Sequence, residues 1–231
     1  IDALVIIGGD GSFTGGMILQ KEFNVPVLGI PGTIDNDLFG TTHTLGYDTA
    51  LNTVMDAIDK IRDTAISHDR LFFVEVMGRD AGHIALNSGI AIGAQEILIP
   101  EESNGIEELI LSLKKSKKAG KTSSIVVVAE GDKTGSNVFE LAKNVEKKFP
   151  DYEIKVSVLG HMQRGGSPSC FDRVLATRMG VKAVESLMEG FCCEMVGVDE
   201  GKLTLTPLKS AIKGTSKINS ELLRVSEIMN T

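Results

Sequence analysis

The chain has 231 residues, of which 42% are hydrophobic, so it can bury a sizeable core. Its formal net charge of −7 argues against a surface that binds nucleic acid generally. No apolar segment is long enough to cross a bilayer, and no basic region precedes an apolar stretch as in a signal peptide. The three cysteines lack metal-ligand spacing, which predicts reduced thiols in a cytoplasmic protein.

Strand-like apolar runs alternate with helix-length segments along almost the whole chain. The sequence predicts strands at residues 3–7, 25–30, 71–76, 97–99, 124–129, 154–159, 194–198 and 202–205. It predicts helices at residues 13–22, 46–66, 82–92, 105–118, 137–148, 170–189 and 217–229. Strands that are apolar on both faces and alternate with helices indicate parallel pairing. We therefore predict an α/β fold with mostly parallel sheets and helices on both faces.

The chain opens inside the apolar run at residues 3–7 and has no initiator methionine. This pattern predicts that the N-terminus is a cut and that the first strand lacks its sheet partners. No flexible linker is apparent, so any division into two lobes must be made by chain crossings.

Two carboxylates, Asp35 and Asp37, follow the predicted strand at residues 25–30. Pro and Gly punctuate this stretch, which predicts that the strand delivers both carboxylates into a loop. One aspartate in such a loop is an ordinary turn residue. Two aspartates beside Thr33 favour a catalytic base and a metal-handling group for phosphoryl transfer.

A second acidic loop, Gly-Gly-Asp-Gly-Ser at residues 8–12, joins the first strand to a helix. Its glycines allow close approach of a ligand, and the helix N-terminus offers backbone N–H groups to a phosphate. Asp10 is a candidate for binding Mg²⁺, directly or through water. The alternative is a tight turn in which Asp10 and Ser12 only cap the helix.

Arg79 follows the strand at residues 71–76, where a cation could stabilise a transferring phosphoryl group. The alternative is an ordinary surface arginine. Arg70 lies at the other end of the same strand, roughly 20 Å away. We therefore expect Arg70 and Arg79 to serve different sites, with Arg70 able to reach a neighbouring subunit.

Residues 160–168 follow the strand at 154–159 and contain His161, Arg164 and paired glycines. This composition suits an anion that also carries hydroxyls, although a plain Gly/Pro loop is the alternative. Glu130 ends another strand and could accept hydrogen bonds from sugar hydroxyls. Lys155 is expected to be an outward-pointing cation. We expect the four strand ends that carry this chemistry to meet at the same edge of one sheet.

Residues 8–12, 31–37, 77–79 and 160–166 together resemble the signature stretches of the phosphofructokinases, in the same order. Gly-Thr-Ile-Asp-Asn-Asp and His-Met-Gln-Arg-Gly-Gly are highly specific, and the resemblance covers essentially the whole chain. It implies a phosphofructokinase-type two-lobed domain over residues 1–231 that lacks its N-terminal part. The expected lobe boundaries lie near residues 40–46 and 160–170.

The resemblance implies an enzyme that transfers the γ-phosphoryl group of ATP to the 1-hydroxyl of fructose 6-phosphate. Asp35 would be the base, supported by Thr33 and Asp37, and Arg79 would stabilise the transferring group. Asp10 would bind Mg²⁺. The residues implied to touch nucleotide phosphates are Gly9, Gly11 and Ser12. Those implied to hold fructose 6-phosphate are Met77, Gly78, Glu130, His161 and Arg164, with Arg70 and Lys155 reaching a neighbour in a homo-oligomer, usually a tetramer.

Two positions depart from the bacterial pattern. Lys155 stands where arginine is typical, which keeps the charge but loses the bidentate fork. Gln95 stands where the effector site usually has an acid, while Arg62 and Lys121 match other effector-site cations. Allosteric control is therefore left open.

Three other functions compete with ATP-dependent phosphoryl transfer. Gly11 and Gly32 argue against a pyrophosphate-dependent relative, because a larger acid and a lysine are expected there. The presence of Asp35 and Arg79 argues against a non-catalytic regulatory subunit. A nicotinamide-nucleotide or lipid kinase would share only the loop at residues 8–12.

Overall fold

The computed structural model describes residues 1–65, 70–102, 105–118, 120, 125–150 and 152–229 of the chain. The chain forms two compact units, and each unit uses two separate stretches of sequence. Unit 1 contains Ile1–Thr49 and Ser167–Lys217. Unit 2 contains Ala50–Gly166 and Ile218–Thr231.

Strands and helices alternate through most of the described residues. In chain order they are β1 (Leu4–Gly8), α1 (Asp10–Phe23), β2 (Val27–Pro31), α2 (Tyr47–Ala65), β3 (Arg70–Val76), α3 (His83–Ala91), β4 (Glu96–Leu98), α4 (Ile106–Lys118), β5 (Ile125–Ala129), α5 (Val138–Lys148), β6 (Glu153–Val158), a short 3₁₀ helix (Gly160–Arg164), α6 (Cys170–Met188), β7 (Glu194–Asp199), β8 (Lys202–Pro207), α7 (Leu208–Lys213) and α8 (Ser220–Met229). The predicted α/β class is confirmed.

The sheet of unit 1 has the strand order β1–β2–β7–β8. Strands β1, β2 and β7 are parallel to one another, and β8 pairs with β7 in the antiparallel direction. Strand β2 is buried along its whole length. Only one turn joins β7 to β8, and so short a connection requires antiparallel pairing.

Strand β2 presents apolar side chains to a helix layer on each side of this sheet. Leu28 packs in one cluster with Met179 of α6, and Val27 packs in another with Phe13 of α1. Gly29 makes room for the second layer, because a Cβ at this position would come within 2.6 Å of the Phe13 ring. Successive side chains of β2 point to opposite faces of the sheet, so this one strand packs against both helix layers.

The sheet of unit 2 has the order β4–β5–β3–β6, and all its strands are parallel. Strand β5 is a continuous run of buried apolar residues, as expected for a parallel strand covered on both faces. On one face, Leu113 of α4 and Leu141 of α5 pack against Phe73 and Val126 of the sheet. In parallel strands of this kind, the carboxyl ends of β3 and β5 lie side by side.

The division into two sheets corrects one expectation. The acidic strand ends belong to β1 and β2 of unit 1, whereas Arg79, Glu130 and the residues after position 159 follow β3, β5 and β6 of unit 2. The four strand ends therefore do not share one sheet edge. Apolar patterning indicates that a strand is buried on both faces, but it does not specify which strand pairs with it.

Strand β1 also differs from expectation. It was expected to lack sheet partners, but it pairs with β2 along its full length, from Leu4 with Val27 to Gly8 with Pro31. Ile7 nevertheless has 66% of its surface exposed. Strand β1 thus has a sheet partner in β2, the next strand along the chain.

Most predicted elements are present, with ends shifted by one to three residues. The predicted helix at 46–66 and strand at 124–129 include Ile66 and Ser124, which lie outside the described residues. The sequence did not predict α7 or the 3₁₀ helix, because both are too short for a clear hydrophobic period. Among the described residues, no helix has the length and apolar character needed to span a membrane.

Candidate active site

In unit 1, the loops that follow β1 and β2 lie side by side. The strands are paired up to Gly8 and Pro31, and the backbone N–H of Gly32 donates to the carbonyl of Gly8 at 3.0 Å. A Cβ at Gly9 would lie 3.8 Å from Cβ of Thr33. The structure therefore brings the glycine loop (residues 8–12) next to the acidic loop (residues 31–37).

The glycine loop leads directly into α1. Gly9 is the N-cap residue and Asp10 begins the helix, so the alternative in which Asp10 and Ser12 cap the helix is not what the structure has. Asp10 Oδ1 accepts a hydrogen bond from the Gly11 N–H at 2.8 Å. Within the described residues, a Cβ at Gly11 would meet no atom within 4 Å. The start of this 14-residue helix is thus uncrowded beside Gly11, and its amide groups favour an anion.

The acidic loop holds its carboxylates in different surroundings. Asp35 is buried, with 6% of its surface exposed, and Asp37 is half-buried. The Asp35 N–H donates to Oγ1 of Thr33 at 3.2 Å, which forms a local turn. Asn36, between the two carboxylates, has a left-handed backbone with φ of 54°. The loop therefore presents a base candidate and a metal-handling candidate on one turn.

In unit 2, the arginine loop (residues 77–79) follows β3. Glu130, at the end of the neighbouring strand β5, accepts hydrogen bonds through Oε1 from the N–H groups of Gly78 at 3.2 Å and Arg79 at 2.6 Å. Arg79 has a left-handed backbone with φ of 57°, and its side chain is exposed. Glu130 thus fixes the backbone of the loop. Glu130 was predicted to accept hydrogen bonds from a sugar, but here it accepts them from backbone N–H groups of the protein.

Gln163 joins the arginine loop to the 3₁₀ helix that follows β6. Its side chain is 1% exposed. Oε1 accepts a hydrogen bond from the Met77 N–H at 3.1 Å, and Nε2 donates to the Gly160 carbonyl at 3.0 Å. His161 and Arg164, on the same short helix, are exposed. The structure thus brings together the predicted substrate residues at the ends of β3, β5 and β6.

Sequence reasoning did not select Gln163. A glutamine side chain can donate and accept simultaneously, which is the signal that could have marked it. Its two partners are at sequence distances of 86 and 3 residues, and the distant one cannot be deduced from local pattern.

At the amino end of β3, Arg70 and Lys155 share one carboxylate. Glu153 pairs with Arg70 Nε at 2.8 Å and with Lys155 Nζ at 2.6 Å, and Lys155 is partly exposed as predicted. Hydrogen bonds from Lys155 and Arg70 lower the pKa of Glu153 to about 2. Arg70 lies at the opposite end of β3 from the arginine loop, in agreement with the expectation that the two arginines serve different sites. Sequence reasoning missed Glu153.

Three positions, Gln95, Arg62 and Lys121, were compared with an effector site in the sequence analysis. Gln95 is 3% exposed, and neither atom of its side-chain amide has a hydrogen-bond partner in the described residues. An Arg62 Nη2 group donates to the carbonyl of Ile92. Lys121 lies outside the described residues. A buried amide without a partner is unusual, and a bound ligand is one way to satisfy it.

The predicted site residues therefore form two sets. Unit 1 contains the glycine and acidic loops, and unit 2 contains Arg79 with the other predicted sugar-phosphate residues. Within the described part of the chain, no three His, Cys, Asp or Glu side chains gather as a metal cluster. Mg²⁺ commonly uses one or two carboxylates together with substrate phosphates and water, so Asp10 fits this mode of binding.

An α/β fold whose strand ends carry a glycine loop, paired aspartates and arginines is typical of proteins that handle phosphate groups. The family model described as Phosphofructokinase matches residues 1–187. The chain belongs to this family. Its relatives include "ATP-dependent 6-phosphofructokinase 2" of Bacteroides thetaiotaomicron, which is 52% identical over 225 residues that cover 97% of this chain and 69% of the relative. "ATP-dependent 6-phosphofructokinase 1" of Thermus thermophilus is 52% identical over 229 residues, covering 99% and 70% of the two chains.

Solved structures agree with the fold. A phosphofructokinase structure from Saccharomyces cerevisiae is similar with a TM-score of 0.86 and 33% identity, over 99% of this chain and 33% of the yeast chain. A pyrophosphate-dependent phosphofructokinase from Marinobacter aquaeolei is similar with a TM-score of 0.79 and 20% identity, over 99% and 67% of the two chains. This second likeness concerns the fold alone. The chain thus spans about 70% of the curated relatives and a third of the yeast chain.

Proposed function

We propose that this chain is part of an ATP-dependent 6-phosphofructokinase, a glycolytic kinase that forms fructose 1,6-bisphosphate and ADP. The observation that carries the proposal is 52% identity, over 97–99% of this chain, to relatives named for that activity. Both loops that phosphoryl transfer requires are present and side by side in unit 1. These facts support a phosphotransferase with an alcohol acceptor.

In the proposed reaction, Asp35 accepts the proton of the sugar 1-hydroxyl. The O1 atom then forms a bond to the γ-phosphorus of ATP as the bond from that phosphorus to the β–γ bridging oxygen breaks, which releases ADP. Thr33 orders the Asp35 backbone, and Asp37 supports the phosphoryl group and its metal. Burial of Asp35 favours a fixed position for the base.

The glycine loop is proposed to bind the nucleotide. The N–H groups of Gly9, Gly11 and Ser12 lie at the start of α1, where the helix dipole favours phosphate. The Gly11 N–H donates to Asp10 in this structure, so a bound phosphate would have to share that donor. Asp10 would bind Mg²⁺, which supplies charge neutralisation at the phosphates. The carboxylate is ordered by the Gly11 N–H, so it offers a fixed hard oxygen ligand.

Fructose 6-phosphate is proposed to bind through Met77, Gly78, Glu130, His161 and Arg164, with Arg79 stabilising the transferring group. The hydrogen bonds of Glu130 and Gln163 support this assignment, because they order the backbone from which these side chains project. Arg70 and Lys155 would bind the 6-phosphate held by a neighbouring subunit. Because Glu153 pairs with both cations, an incoming phosphate would compete with that carboxylate.

A homotetramer, cytoplasmic location and allosteric control are further proposals. The proposed role of Arg70 implies a homo-oligomer, the family resemblance implies that it is a tetramer, and the location follows from the proposed role as a kinase of glycolysis. Within the described residues, the only support for control by an effector is that the side-chain amide of Gln95 is buried and has no hydrogen-bond partner. Sedimentation of the natural protein with and without fructose 6-phosphate measures the oligomer.

Pyrophosphate is the main alternative donor, and the surroundings of two glycines favour ATP. The space beside Gly11 is open in the described residues, which leaves room for the remainder of a nucleotide. A Cβ at Gly32 would lie 2.9 Å from Cγ2 of Ile7, so a lysine there would require the Ile7 side chain to shift. A non-catalytic subunit is disfavoured because Asp35 and Arg79 are retained.

The test is a coupled assay of the natural full-length protein with Mg²⁺, fructose 6-phosphate and either ATP or pyrophosphate. We expect rapid product formation with ATP and only trace formation with pyrophosphate. Gly11→Asp should lower kcat/KM for ATP far more than it affects the trace use of pyrophosphate, because it adds bulk and negative charge beside the nucleotide. Turnover with pyrophosphate alone would overturn the choice of donor, and turnover with neither would overturn the function.

A further inference from the structure

We propose that Asn36 and Thr44 are positioning residues for phosphoryl transfer. Their side chains form a hydrogen-bonded clamp, the 36–44 clamp, which holds the acidic loop against the segment that returns from it at residues 42–44. Neither residue is among the predicted site residues. The inference rests on the proposed function of Asp35 as base.

The first element of the clamp is the backbone of Asn36. Its φ of 54° places it in the left-handed region, which asparagine tolerates far better than most residues. In an extended strand, residues two apart project from the same face. A left-handed residue between Asp35 and Asp37 breaks that relation. This turn accounts for the different burial of the two carboxylates.

The second element is the side-chain amide of Asn36, which is buried and uses both of its polar ends. Nδ2 donates to the carbonyl of Thr42 at 3.0 Å, and Oδ1 accepts from the Thr44 N–H at 2.9 Å. An aspartate would keep the acceptor but lose the donor. The amide is therefore matched to this place by hydrogen bonding as well as by backbone conformation.

The third element is the hydroxyl of Thr44, a residue with 0% exposure. Oγ1 donates to the carbonyl of Thr33 at 2.5 Å and also lies 3.3 Å from Asn36 Oδ1. Thr44 thus contacts the acidic loop on both sides of Asp35. The loop is held at its start, through Thr33, and at its left-handed turn, through Asn36.

The returning segment is itself anchored to the sheet. The N–H of Thr42 donates to the carbonyl of Val198 in β7 at 2.8 Å, and the Leu45 N–H donates to the carbonyl of Pro31 at 2.8 Å. Oγ1 of Thr42 also donates to Val198 at 2.9 Å. The clamp therefore ties Asp35 to two strands of unit 1, not only to a neighbouring loop.

This arrangement predicts an effect on turnover. A general base works only when it lies within hydrogen-bond reach of the proton it accepts, about 2.6–3.2 Å. A misplacement of about 1 Å can lower the rate about 100-fold. Because the hydrogen bonds of the clamp join residues of unit 1, whereas fructose 6-phosphate is proposed to bind through residues of unit 2, its loss should lower kcat and leave KM for fructose 6-phosphate nearly unchanged.

The experiment compares four variants of the natural full-length protein. Thr44→Val removes the hydroxyl at constant shape, and Thr44→Ser restores it. Asn36→Gly keeps the left-handed backbone available but removes the amide. Thr42→Val is the matched control: it loses one hydroxyl bond to Val198, but the Thr42 N–H bond to the same carbonyl and the Thr42 carbonyl that accepts from Asn36 both remain.

We expect Thr44→Val and Asn36→Gly to lower kcat about 10- to 100-fold with KM for fructose 6-phosphate changed less than about twofold. Thr44→Ser and Thr42→Val should stay close to wild type. Hydrogen exchange should be faster at residues 33–37 in the two clamp variants, with the amides of β2 and β7 as protected as in wild type. This exchange readout needs no activity.

Several outcomes overturn the proposal. Unchanged exchange at residues 33–37 in both variants would show that there is no clamp. Faster exchange with unchanged kcat would show that the clamp does not position the base. Loss of protection throughout unit 1 would show a general structural role. If the wild-type protein transfers no phosphoryl group, the proposed function fails, and exchange still decides whether the clamp exists.

Discussion

The acidic loop and the arginine loop both follow a buried parallel strand, but they are held in different ways. The acidic loop is fixed by partners 6, 8 and 11 residues away in sequence, through Asn36 and Thr44. The arginine loop is fixed by partners 51, 52 and 86 residues away, through Glu130 and Gln163. The direct partners of the acidic loop are therefore near in sequence, although the segment that supplies them is itself anchored to Val198 of β7, whereas the direct partners of the arginine loop are distant in sequence.

The difference has a physical consequence for how each loop forms. Closing a short segment costs little chain entropy, so the acidic loop can be ordered once β2 and the segment at residues 42–44 are in place. The arginine loop is ordered only after β3, β5 and β6 have paired. We expect damage to the unit 2 sheet to affect binding of the sugar phosphate, and damage near β2 to affect the base.

The largest expected effect concerns the base itself. Asp35→Ser should lower kcat by about 10²- to 10⁴-fold, the usual contribution of general-base catalysis, with little change in KM for fructose 6-phosphate. Steady-state kinetics of the natural full-length protein measure both constants. Asp56→Ser, at an exposed position on α2, is the control and should be near wild type. Near-normal turnover of Asp35→Ser would show that another group accepts the proton.

The second prediction concerns the hydrogen bonds that hold the arginine loop. Gln163→Met leaves the buried Met77 N–H and Gly160 carbonyl without their partner, which should lower the free energy of unfolding by about 1–3 kcal/mol. It should raise KM for fructose 6-phosphate roughly tenfold, more than it lowers kcat, in contrast to Thr44→Val.

Denaturant unfolding and steady-state kinetics check these two effects. Met162→Leu is the control, since Met162 is exposed on the same 3₁₀ helix. If Gln163→Met changed kcat alone, the arginine loop would have no separate part in substrate binding. The contrast between the two loops would then be lost.

The smallest effect is on the pH dependence of stability. His43 lies in the segment that returns to the acidic loop, and His83 begins α3 after the arginine loop. Burial lowers the pKa of both, opposed by Asp48 and Asp172 near His43 and by Glu101 near His83. Each therefore binds a proton more readily in the unfolded chain, so both contribute stability at neutral pH. That stability is lost as the pH falls through about 6.5 and below.

Unfolding by urea at pH values between about 7.5 and 5.5 measures this loss. His83→Asn should flatten the pH dependence more than His43→Asn, because His83 is the more buried of the two. An unchanged slope in both variants would show that other groups govern stability in this range.

The local features of the site could be predicted from the sequence, because the residues that define them are adjacent. The strand, glycines and aspartates around the acidic loop are contiguous, and the turn between Thr33 and Asp35 follows from their spacing. The Gly-Gly-Asp-Gly-Ser stretch likewise indicates that a helix follows β1, although α1 begins at Asp10, three residues before the predicted start. The positions of most strands followed from continuous apolar runs.

The long-range features could not be predicted in this way. The partner of Met77 is Gln163 and that of Arg70 is Glu153, and neither pairing leaves a local signal. Strand pairing decides that β1 and β2 belong to one sheet and that β3, β5 and β6 belong to another. The pattern of apolar residues in the sequence indicates only which strands are buried. The resemblance to the family supplied residue roles but no partners within the chain.

The left-handed backbone of Arg79 affects which residues are favourable at position 79. A non-glycine residue in this region is strained by about 1–2 kcal/mol, and arginine lacks the short polar side chain that helps asparagine tolerate it. The carbonyl of Arg79 is also crowded, since a Cβ at Gly131 would lie 2.3 Å from it. Selection for stability alone would favour glycine or asparagine at position 79. With its proposed role in stabilising the transferring phosphoryl group, arginine at this position would trade folding stability for activity.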